Sequence, residues 1–429
     1  MKTSAYNYIV DRLGQKYWFN GITQRYFAVS SELSAKLEGF LKDAEQISAL
    51  QKKGSSFFKT LKDNGFIIDD EVCELDIIRH RYDEEVESKN YFLIILPTLN
   101  CNYACWYCVQ NHIESKMSDA TIDSVKQHIK YMVEEEKITS LHIEWFGGEP
   151  FMFFDEVIKP ITKYAIELCE SNSIPFINTA TSNAYYLNDE VVKQLDELKF
   201  KNFQITLDGP RDQHNNVKFM DGNVSAFDTA LMHINSILSY TKDISIMLRI
   251  NYTDDNLDTE IVSQVNELIV EDNRNRVTIM MRKVWQECVD MTRTDRIDGV
   301  VNAFRNSGYV IDFKEISVAI PCYSEKKYYN SINYDGSVVK CTASDDLYKN
   351  APGKLNPDGT ITWKEGFIEK YHQKRFENDN CLNCRYLPLC MGNCALNYNP
   401  DNFVCKQQTK DHTFEQQIVL QIDFFENHA

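Results

Sequence analysis

The middle of the chain alternates between strand-like and helix-like segments, from residue 91 to about residue 312. Helical periodicity is clearest after Ser118, where apolar residues recur at steps of three and four. The alternation predicts an α/β fold in which a parallel sheet curves into a partial (β/α)6 TIM-like barrel. In such folds the chemistry lies at the carboxyl ends of the strands. The predicted strands are residues 92–96, 140–145, 176–181, 203–207, 244–250 and 277–281.

The first 85 residues predict a small, separate α+β domain. Aromatic and β-branched residues between positions 6 and 29 predict a hairpin, and Asn20-Gly21 supplies a turn that tolerates positive φ. A helix is expected to begin at the Ser30 cap. The charged run over residues 79–89 is assigned to a linker.

Composition narrows the class of protein. A chain of 429 residues predicts two or three domains. It has no apolar run as long as a membrane span and no signal-peptide segment, so we expect a soluble, cytoplasmic protein. A net charge of -17 argues against nucleic acid or an anionic membrane as the main partner, although a local basic groove could receive an acidic peptide. Thirteen cysteines without an export signal indicate metal binding rather than disulfides.

Three of these cysteines, Cys101, Cys105 and Cys108, form a C-x3-C-x2-C array directly after the first predicted strand. Three thiolates cannot close a tetrahedral zinc site or complete a four-iron cluster, because each needs a fourth ligand. The array resembles the loop of the radical S-adenosylmethionine (SAM) superfamily. The resemblance implies a 4Fe-4S cluster whose open iron binds SAM, which reduction cleaves to methionine and a 5'-deoxyadenosyl radical. The alternatives are a zinc knuckle lacking a ligand and three unrelated thiols.

The same resemblance assigns SAM contacts at the ends of later strands. Gly147, Gly148, Glu149 and Pro150 match the GGEP segment that binds the methionine amino group. Glycines let the backbone approach a ligand closely, and a carboxylate or carbonyls can accept hydrogen bonds from an ammonium. Ser182 and Asn183 resemble the polar cluster that holds the ribose or the carboxylate, although Ala184 follows where relatives often have glycine.

Four further residues complete the predicted SAM site. Asp208 lies in a segment similar to the family's S-x-D-G, where it would meet the ribose or order the site; a turn-forming Asp-Gly-Pro is the competing interpretation. Lys218 stands where relatives carry an arginine that pairs with the SAM carboxylate, but a lysine has no bidentate fork. Arg249 on the strand over residues 244–250 is the alternative carboxylate partner. Tyr107 is the aromatic residue expected near the adenine, or else a core residue.

The last third of the chain contains seven more cysteines: Cys322, Cys341, Cys381, Cys384, Cys390, Cys394 and Cys405. Their spacing resembles the SPASM extension of peptide-modifying radical enzymes. The resemblance implies two auxiliary 4Fe-4S clusters, and so three clusters in all; two zinc ribbons are the alternative. One set would be Cys381, Cys384, Cys390 and Cys405, and the other Cys322, Cys341 and Cys394. The second set lacks one ligand, so we hypothesise an iron open to solvent or to a substrate sulfur, unless a spare cysteine such as Cys288 supplies the fourth thiolate. Cys73, Cys169 and Cys288 are left over and are expected to be buried apolar thiols.

The N-terminal segment resembles the winged-helix-like element that recognises leader peptides in many peptide-modifying enzymes. Three domains are therefore expected: a recognition domain over residues 1–85, a radical SAM barrel over 90–312 and a SPASM domain over 313–429. The expected partners are a precursor peptide, whose leader binds the first domain, and a reducing protein such as flavodoxin or ferredoxin. An N-terminal elaboration that merely packs on the catalytic domain is the alternative for residues 1–85.

These features predict a radical SAM peptide maturase that oxidises a precursor peptide, giving an intramolecular thioether or carbon-carbon crosslink. A sulfatase-maturating dehydrogenase that generates formylglycine is the first alternative. Thr342 follows Cys341 where those enzymes resemble one another in having an aspartate, and Asp345 and Asp346 lie near. A non-catalytic iron-sulfur electron carrier or zinc-stabilised scaffold is the second alternative, but it would not need the GGEP segment.

Overall fold

The structure is a computed structural model, and it describes residues 1–219, 224–284, 286, 294–312, 320–344, 350–396, 403–405 and 413–427. Contacts divide the chain into two compact units. The first unit comprises Met1–Glu87, Lys314–Lys326 and His372–Ala429, and the barrel unit comprises Ser88–Phe313 and Lys327–Tyr371. The three functional domains expected from the sequence remain a prediction. In the described ranges, every helix is too short or too polar to cross a membrane.

The N-terminal part of the first unit combines small antiparallel sheets with four helices. Its elements are β1 (Lys2–Thr3), β2 (Asn7–Arg12), β3 (Gln15–Asn20), β4 (Tyr26–Val29), α1 (Ser31–Leu41), α2 (Ala44–Lys52), α3 (Ser56–Asp63), β5 (Ile67–Ile68) and α4 (Glu74–Glu87). Strands β2, β3 and β4 form one antiparallel sheet, and β1 pairs with β5. Ser30 caps α1 by accepting from the backbone N–H of Leu33, as its position in the sequence predicted.

The barrel unit alternates strands with helices. Its elements are β6 (Asn90–Ile95), α5 (Asp119–Glu134), β7 (Ser140–Trp145), α6 (Lys159–Ser171), β8 (Phe176–Ser182), α7 (Asp189–Val192), β9 (Phe200–Leu207), α8 (Arg211–Val217), α9 (Ala226–Tyr240), β10 (Ser245–Tyr252), α10 (Glu260–Leu268), β11 (Val277–Lys283), α11 (Thr294–Asn306), β12 (Val310–Ile311), β13 (Tyr329–Ile332), β14 (Ser337–Val339), β15 (Gly353–Leu355), β16 (Ile361–Trp363) and α12 (Phe367–Tyr371). The chain then returns to the first unit with α13 (Asp379–Leu382), α14 (Leu387–Cys390) and α15 (Phe414–Asn427).

The sheet of the barrel unit confirms the predicted α/β fold. Its strand order is β12-β11-β10-β9-β8-β7-β6-β13-β14-β15-β16. The strands from β12 to β13 are parallel, and the six predicted strands are β6 to β11, each paired with the next along the chain. Because successive parallel strands lie side by side, the loops at their carboxyl ends meet at one edge of the sheet.

Helix α5 shows how the apolar pattern builds this unit. Ser118 accepts from the backbone N–H of Thr121, which starts the helix at the predicted cap. The apolar residues at steps of three and four, from Ile122 to Val133, are buried. In β7, Leu141, Ile143 and Trp145 are buried at alternate positions, as a strand covered on its outer face by helices requires.

The linker prediction for residues 79–89 is wrong, because helix α4 covers Glu74–Glu87. Among the charged residues of this segment, apolar residues recur at every fourth position. Ile78, Tyr82 and Val86 are each at most 5% exposed and belong to the core of the first unit. A stripe with this spacing is the signal of a helix that packs on one face.

The predicted turn at Asn20-Gly21 is placed correctly, but its physical reason differs. The connection between β3 and β4 begins there, and Asn20 N–H donates to the carbonyl of Arg25 at 2.9 Å. Neither residue has a positive φ. Glycine is required at position 21 because a Cβ would lie 2.8 Å from the ring of Tyr8. The tight turn with positive φ is instead Leu13-Gly14, between β2 and β3.

Candidate functional site

The three cysteines lie on a loop that leaves the carboxyl end of β6. Its base is closed by hydrogen bonds: the Thr98 hydroxyl donates to the carbonyl of Ser115 at 2.6 Å, and the Leu99 N–H donates to the Ser115 hydroxyl at 2.9 Å. The Asn100 N–H donates to the Thr98 hydroxyl at 2.8 Å. The loop is thus held at both ends, where the fold concentrates its chemistry.

The thiols of this loop are close enough for their charges to interact. Burial raises the pKa of Cys101 to about 12 and also raises the pKa values of Cys105 and Cys108. The charge of Lys218 acts in the opposite direction on Cys105 and Cys108. Since metals bind the thiolate, metal binding at this loop must displace protons.

Two buried amide donors beside the three cysteines suit an iron-sulfur cluster. In the described part of the chain, no three His, Cys, Asp or Glu side chains converge to hold one ion. Two buried amide nitrogens of the loop, Asn102 Nδ2 and Gln110 Nε2, have no acceptor among the described residues. Donors of this kind suit sulfide, thiolate or carboxylate acceptors. Cys101, Cys105 and Cys108 would therefore hold the cluster that the sequence predicts.

The glycines of the GGEP segment, at the end of β7, contact the cysteine loop. Gly147 has a φ of +127°, and a Cβ on it would lie 2.3 Å from the Thr98 carbonyl oxygen. A Cβ on Gly148 would lie 2.0 Å from the Asn100 carbonyl oxygen. Backbone hydrogen bonds join the same segments, from Gly148 to Thr98 at 3.1 Å and from Glu149 to Asn100 at 2.8 Å. Glycine is needed here for close packing of backbone against backbone.

Glu149 ties the ends of β7 and β8 together. It is fully buried and accepts three hydrogen bonds: from the Ser182 hydroxyl at 2.9 Å, the Asn183 N–H at 2.8 Å and the Phe151 N–H at 3.0 Å. The last of these caps the short 3-10 helix Pro150–Phe153. Burial raises the pKa of Glu149 to about 7, and the three donors oppose that rise.

Glu149 should make stability fall as the pH rises. Its carboxyl has an ordinary pKa of 4.5 and a folded value of about 7, so the folded state binds the proton more tightly. The resulting stabilisation is complete below pH 4.5 and is lost as the pH rises through about 7. We expect this loss to be about 3 kcal/mol in the parent and absent in Glu149→Gln. Urea unfolding across the pH range, with Glu71→Gln as an exposed control, measures it. Equal pH slopes for the parent and Glu149→Gln would contradict this assignment.

Asn183, at the end of β8, reaches the cysteine loop directly. Its side-chain nitrogen donates to Asn102 Oδ1 at 2.8 Å and lies 3.7 Å from Cys101 Sγ. The next residue, Ala184, is buried with a φ of +67°. This left-handed conformation disfavours residues with a Cβ and explains why glycine suits the position.

A second buried network lies at the end of β9 and is organised by Asp208. The Lys218 ammonium and the Tyr107 hydroxyl both donate to its carboxylate, whose side chain is 2% exposed. Burial alone would raise the pKa of Asp208, but the charge of Lys218 and the hydrogen bonds from Lys218 and Tyr107 outweigh it, and the pKa is lowered. Burial likewise opposes the charge on Lys218, yet Asp208 raises its pKa. The pair is therefore ionised at neutral pH.

Lys218 and Tyr107 thus have partners within the protein. Lys218, predicted to meet the SAM carboxylate, forms an ion pair with Asp208 and also donates to the Thr206 carbonyl at 3.3 Å. Tyr107, next to Cys108 in the chain, is joined to the same carboxylate. Their roles toward SAM stay a prediction.

Arg249 on β10 is mostly buried. Its Nε donates to Asn251 Oδ1 at 2.8 Å. Burial lowers the pKa of Arg249, and the charge of Arg282 on the neighbouring strand β11 lowers it further. Two guanidinium groups near one another favour an anion. The pairing of Arg249 with the SAM carboxylate stays a prediction.

Sequence reasoning missed Asn102, His214 and Asn251. His214 is buried, and its Nδ1 accepts from the Asp208 N–H at 3.1 Å. Burial and Lys218 lower the pKa of His214 to about 3, so the ring is neutral. Asn251 Nδ2 lies 3.4 Å from Asp208 Oδ1. The available signal was period two on β10, which places Arg249 and Asn251 on one face.

Four C-terminal cysteines of the first unit interact. Burial raises the pKa values of Cys381 and Cys384, and the charges of Cys390 and Cys405 raise them further. This is the set that the sequence assigned to one auxiliary cluster. Cys322 and Cys394 also belong to the first unit, whereas Cys341 belongs to the barrel unit. The two auxiliary clusters remain a prediction.

The three leftover cysteines have different outcomes. Cys169 is buried, as expected. Cys73 is exposed, so the prediction of a buried thiol is wrong there; it lies immediately before α4, outside the apolar stripe of that helix. Cys288 lies outside the described residues.

The chain is similar to known proteins of one superfamily. Residues 95–280 match the model of the radical SAM superfamily. The chain is 22% identical over 383 residues to the radical SAM cyclopropyl synthase TigE of Paramaledivibacter caminithermalis, covering 77% of this chain and 74% of that protein. Residues 95–280 include the cysteine loop and the carboxyl ends of β7, β8 and β9.

Two solved structures show the same fold. Native anSMEcpe with bound AdoMet has a TM-score of 0.52 at 17% identity, covering 78% of this chain and 96% of that chain. Streptococcus suis SuiB bound to S-adenosylmethionine has a TM-score of 0.50 at 15% identity, covering 92% of this chain and 96% of that chain. The two structures show the fold, and the match of residues 95–280 to the superfamily model makes this part of the chain similar to radical SAM domains.

Proposed function

We propose that this chain is a radical SAM peptide maturase that oxidises a ribosomally synthesised precursor peptide and installs an intramolecular thioether or carbon-carbon crosslink. One observation carries the proposal. The three-cysteine loop lies at the carboxyl end of β6 and is fixed there by the ends of β7 and β8, through Glu149 and Asn183.

The family implies a 4Fe-4S cluster and SAM. When bound, the reduced cluster supplies the electron that cleaves SAM to a 5'-deoxyadenosyl radical. Cys101, Cys105 and Cys108 would hold the cluster. Buried Glu149 keeps the backbone of Asn183 in place, and the Asn183 side chain orients Asn102 beside Cys101. These residues position reactants and exclude water, which is the protein's contribution to cofactor chemistry.

The N-terminal sheet supports a peptide substrate. Among the described strands of its sheet, β4 is paired only on one side, with β3. An exposed edge can receive an extended peptide as an added strand. A leader peptide bound at β4 would raise the local concentration of the segment to be modified.

The identity of a relative suggests which product to seek first. TigE is a cyclopropyl synthase, and a cyclopropyl ring closes by a new carbon-carbon bond. A carbon-carbon link within the peptide is therefore the first product to test, ahead of a thioether. Formylglycine formation is less favoured, because Thr342 cannot act as the carboxylate base expected after Cys341. Asp345 and Asp346 lie outside the described residues.

The test is anaerobic incubation of the reconstituted enzyme with SAM, a reductant and the peptide encoded beside it. Reduced flavodoxin or ferredoxin, the proposed physiological donor, should replace dithionite. Tandem mass spectrometry should find a loss of about two hydrogen masses localised to a linked pair of residues. The same peptide without its leader should react much more slowly. The leaderless peptide is preferable to truncation of the enzyme, because the core of the first unit joins residues 6–86 to residues 376–422.

Two outcomes would overturn parts of the proposal. Release of 5'-deoxyadenosine with an unchanged peptide would keep the radical chemistry and reject this substrate. Failure to cleave SAM at all, with fully reconstituted clusters and strong reduction, would instead favour a non-catalytic electron carrier.

A further inference from the structure

Two cysteine-bearing segments of the first unit are joined by a buried ion pair. Arg375 and Glu325 lie 2.7 Å apart, and their side chains are 0% and 3% exposed. Glu325 ends the 3-10 turn Tyr323–Glu325, which directly follows Cys322. The Arg375 Nε donates to the carbonyl of Asn393 at 3.1 Å, and Asn393 directly precedes Cys394. One guanidinium therefore contacts the segments of both cysteines.

Helix α4 closes this arrangement from the other side. The Tyr82 hydroxyl donates to Glu325 Oε2 at 2.6 Å, so the carboxylate is held by Arg375 and Tyr82 together. The Tyr82 ring packs edge-on against Phe376, next to Arg375 in the chain, with centroids 5.3 Å apart. Helix α4, which the sequence analysis assigned to a charged linker, thus packs against the residues that connect the Cys322 and Cys394 segments.

Partly exposed ion pairs surround the buried centre. Glu85 on α4 pairs with Lys326 at 2.8 Å, and Asp83 pairs with Lys374 at 2.7 Å. Their side chains are between 23% and 51% exposed, so solvent screens them and each stabilises the fold by less than about 1 kcal/mol. The geometry is therefore set by the buried centre.

A buried ion pair is a poor device for stability alone. Apolar residues of similar volume in place of Arg375, Glu325 and Tyr82 would stabilise the fold as well or better, because both charges of the ion pair lose their hydration on burial. What the pair provides is fixed geometry, because one planar guanidinium donates its Nε–H to the Asn393 carbonyl and forms the ion pair with Glu325. Cys322 also receives a hydrogen bond on its sulfur from the Ser324 hydroxyl at 3.2 Å, which is typical of a tuned ligand.

We propose that Arg375, Glu325 and Tyr82 are positioning residues that hold Cys322 and Cys394 at the separation that an auxiliary 4Fe-4S cluster requires. The inference rests on the auxiliary clusters of the proposed function. It assigns to α4 a role in cluster assembly.

The test uses the full chain with Cys101, Cys105 and Cys108 replaced by alanine, so that only auxiliary clusters are observed. This background should bind about eight iron atoms per chain after reconstitution. Arg375→Lys keeps the positive charge but loses the planar guanidinium. We expect this variant to bind about four iron atoms per chain, as Cys322→Ala should. Lys374→Ala removes a neighbouring exposed pair and should retain about eight. Iron and sulfide content, electron paramagnetic resonance spectra and reduction potentials are the measurements.

A milder variant covers the case in which Arg375→Lys does not fold. Tyr82→Phe removes one hydroxyl, and it should lose about four irons to a chelator at least about fivefold faster than the background. Chelator loss at the background rate would overturn the inference.

The outcomes separate this inference from the function on which it rests. About eight irons with an unchanged spectrum and potential in Arg375→Lys would overturn the positioning role and leave the clusters in place. A background that binds no iron would reject the auxiliary clusters themselves, and the positioning role with them.

Discussion

Gly148→Ala is expected to lower SAM cleavage on the order of 100-fold while the barrel still folds. A Cβ at this position would lie 2.0 Å from the Asn100 carbonyl oxygen, whereas real Cβ contacts respect about 3.0 Å. The atoms it meets are backbone, so no side-chain rotation relieves the clash. The cysteine loop must then move by about 1 Å, and a displacement of that size costs this much in a positioned reaction. 5'-Deoxyadenosine release per bound cluster is the measurement.

Gly299→Ala provides the matched control. Gly299 lies within α11, and a Cβ there meets nothing within 4 Å. Alanine should keep SAM cleavage at the parental rate and stabilise the helix by roughly 0.5–1 kcal/mol. If Gly148→Ala cleaves SAM as fast as Gly299→Ala, the packing of the GGEP segment on the cysteine loop does not determine activity.

The sequence contains enough information for the sheet of the barrel unit. Strands β6 to β11 are short apolar runs between amphipathic helices, and each of these signals is local to a few residues. The same reasoning placed the cysteine loop at the end of β6. It could not reveal why Gly148 is glycine, because the atom that excludes a side chain belongs to Asn100, on another strand's loop.

The contacts of Glu149 and Lys218 could not be predicted from the sequence either, because they depend on tertiary structure. Glu149 reaches Ser182 and Asn183 only because β7 and β8 pair in register. Lys218 meets Asp208 through the turn of α8, whose burial is a tertiary effect. The linker prediction for residues 79–89 was wrong for a related reason. Helix α4 has only a few buried apolar residues, and they are outnumbered by charged residues that face solvent.

Lys218→Met is expected to destabilise the protein by about 3–5 kcal/mol, because it leaves the Asp208 carboxylate buried without its counterion. The Lys218 and Asp208 side chains are 5% and 2% exposed. The double variant Asp208→Asn, Lys218→Met removes both charges and should recover most of that loss. The exposed pair of Lys36 and Glu32 is the control, and Lys36→Met should cost less than about 0.5 kcal/mol. Additive effects of the two single changes would contradict a coupled pair.

The pH dependence of the pair has a defined sign. Since the pKa of Asp208 is lowered in the folded state, its stabilisation is present above the ordinary carboxyl pKa and is lost as the pH falls through the folded value. The pKa of Lys218 is raised, so its contribution is complete below the ordinary lysine pKa and is lost only as the pH rises through the folded value. The asparagine-methionine double variant should lack both dependences.

The same double variant separates the two roles of Lys218. If Lys218 only neutralises Asp208, the recovered fold should bind SAM with nearly parental affinity, since Tyr107 and the loop regain their packing. If it also meets the SAM carboxylate, as the family resemblance implies, affinity should stay at least about tenfold weaker although stability has returned, because about 1.4 kcal/mol of charge-assisted hydrogen bonding is gone. Equilibrium binding of SAM is measured for the reconstituted double variant and for Asp208→Asn alone, beside their urea unfolding curves. Weaker binding by the double variant than by Asp208→Asn assigns the loss to Lys218, and equal binding makes Lys218 a structural residue.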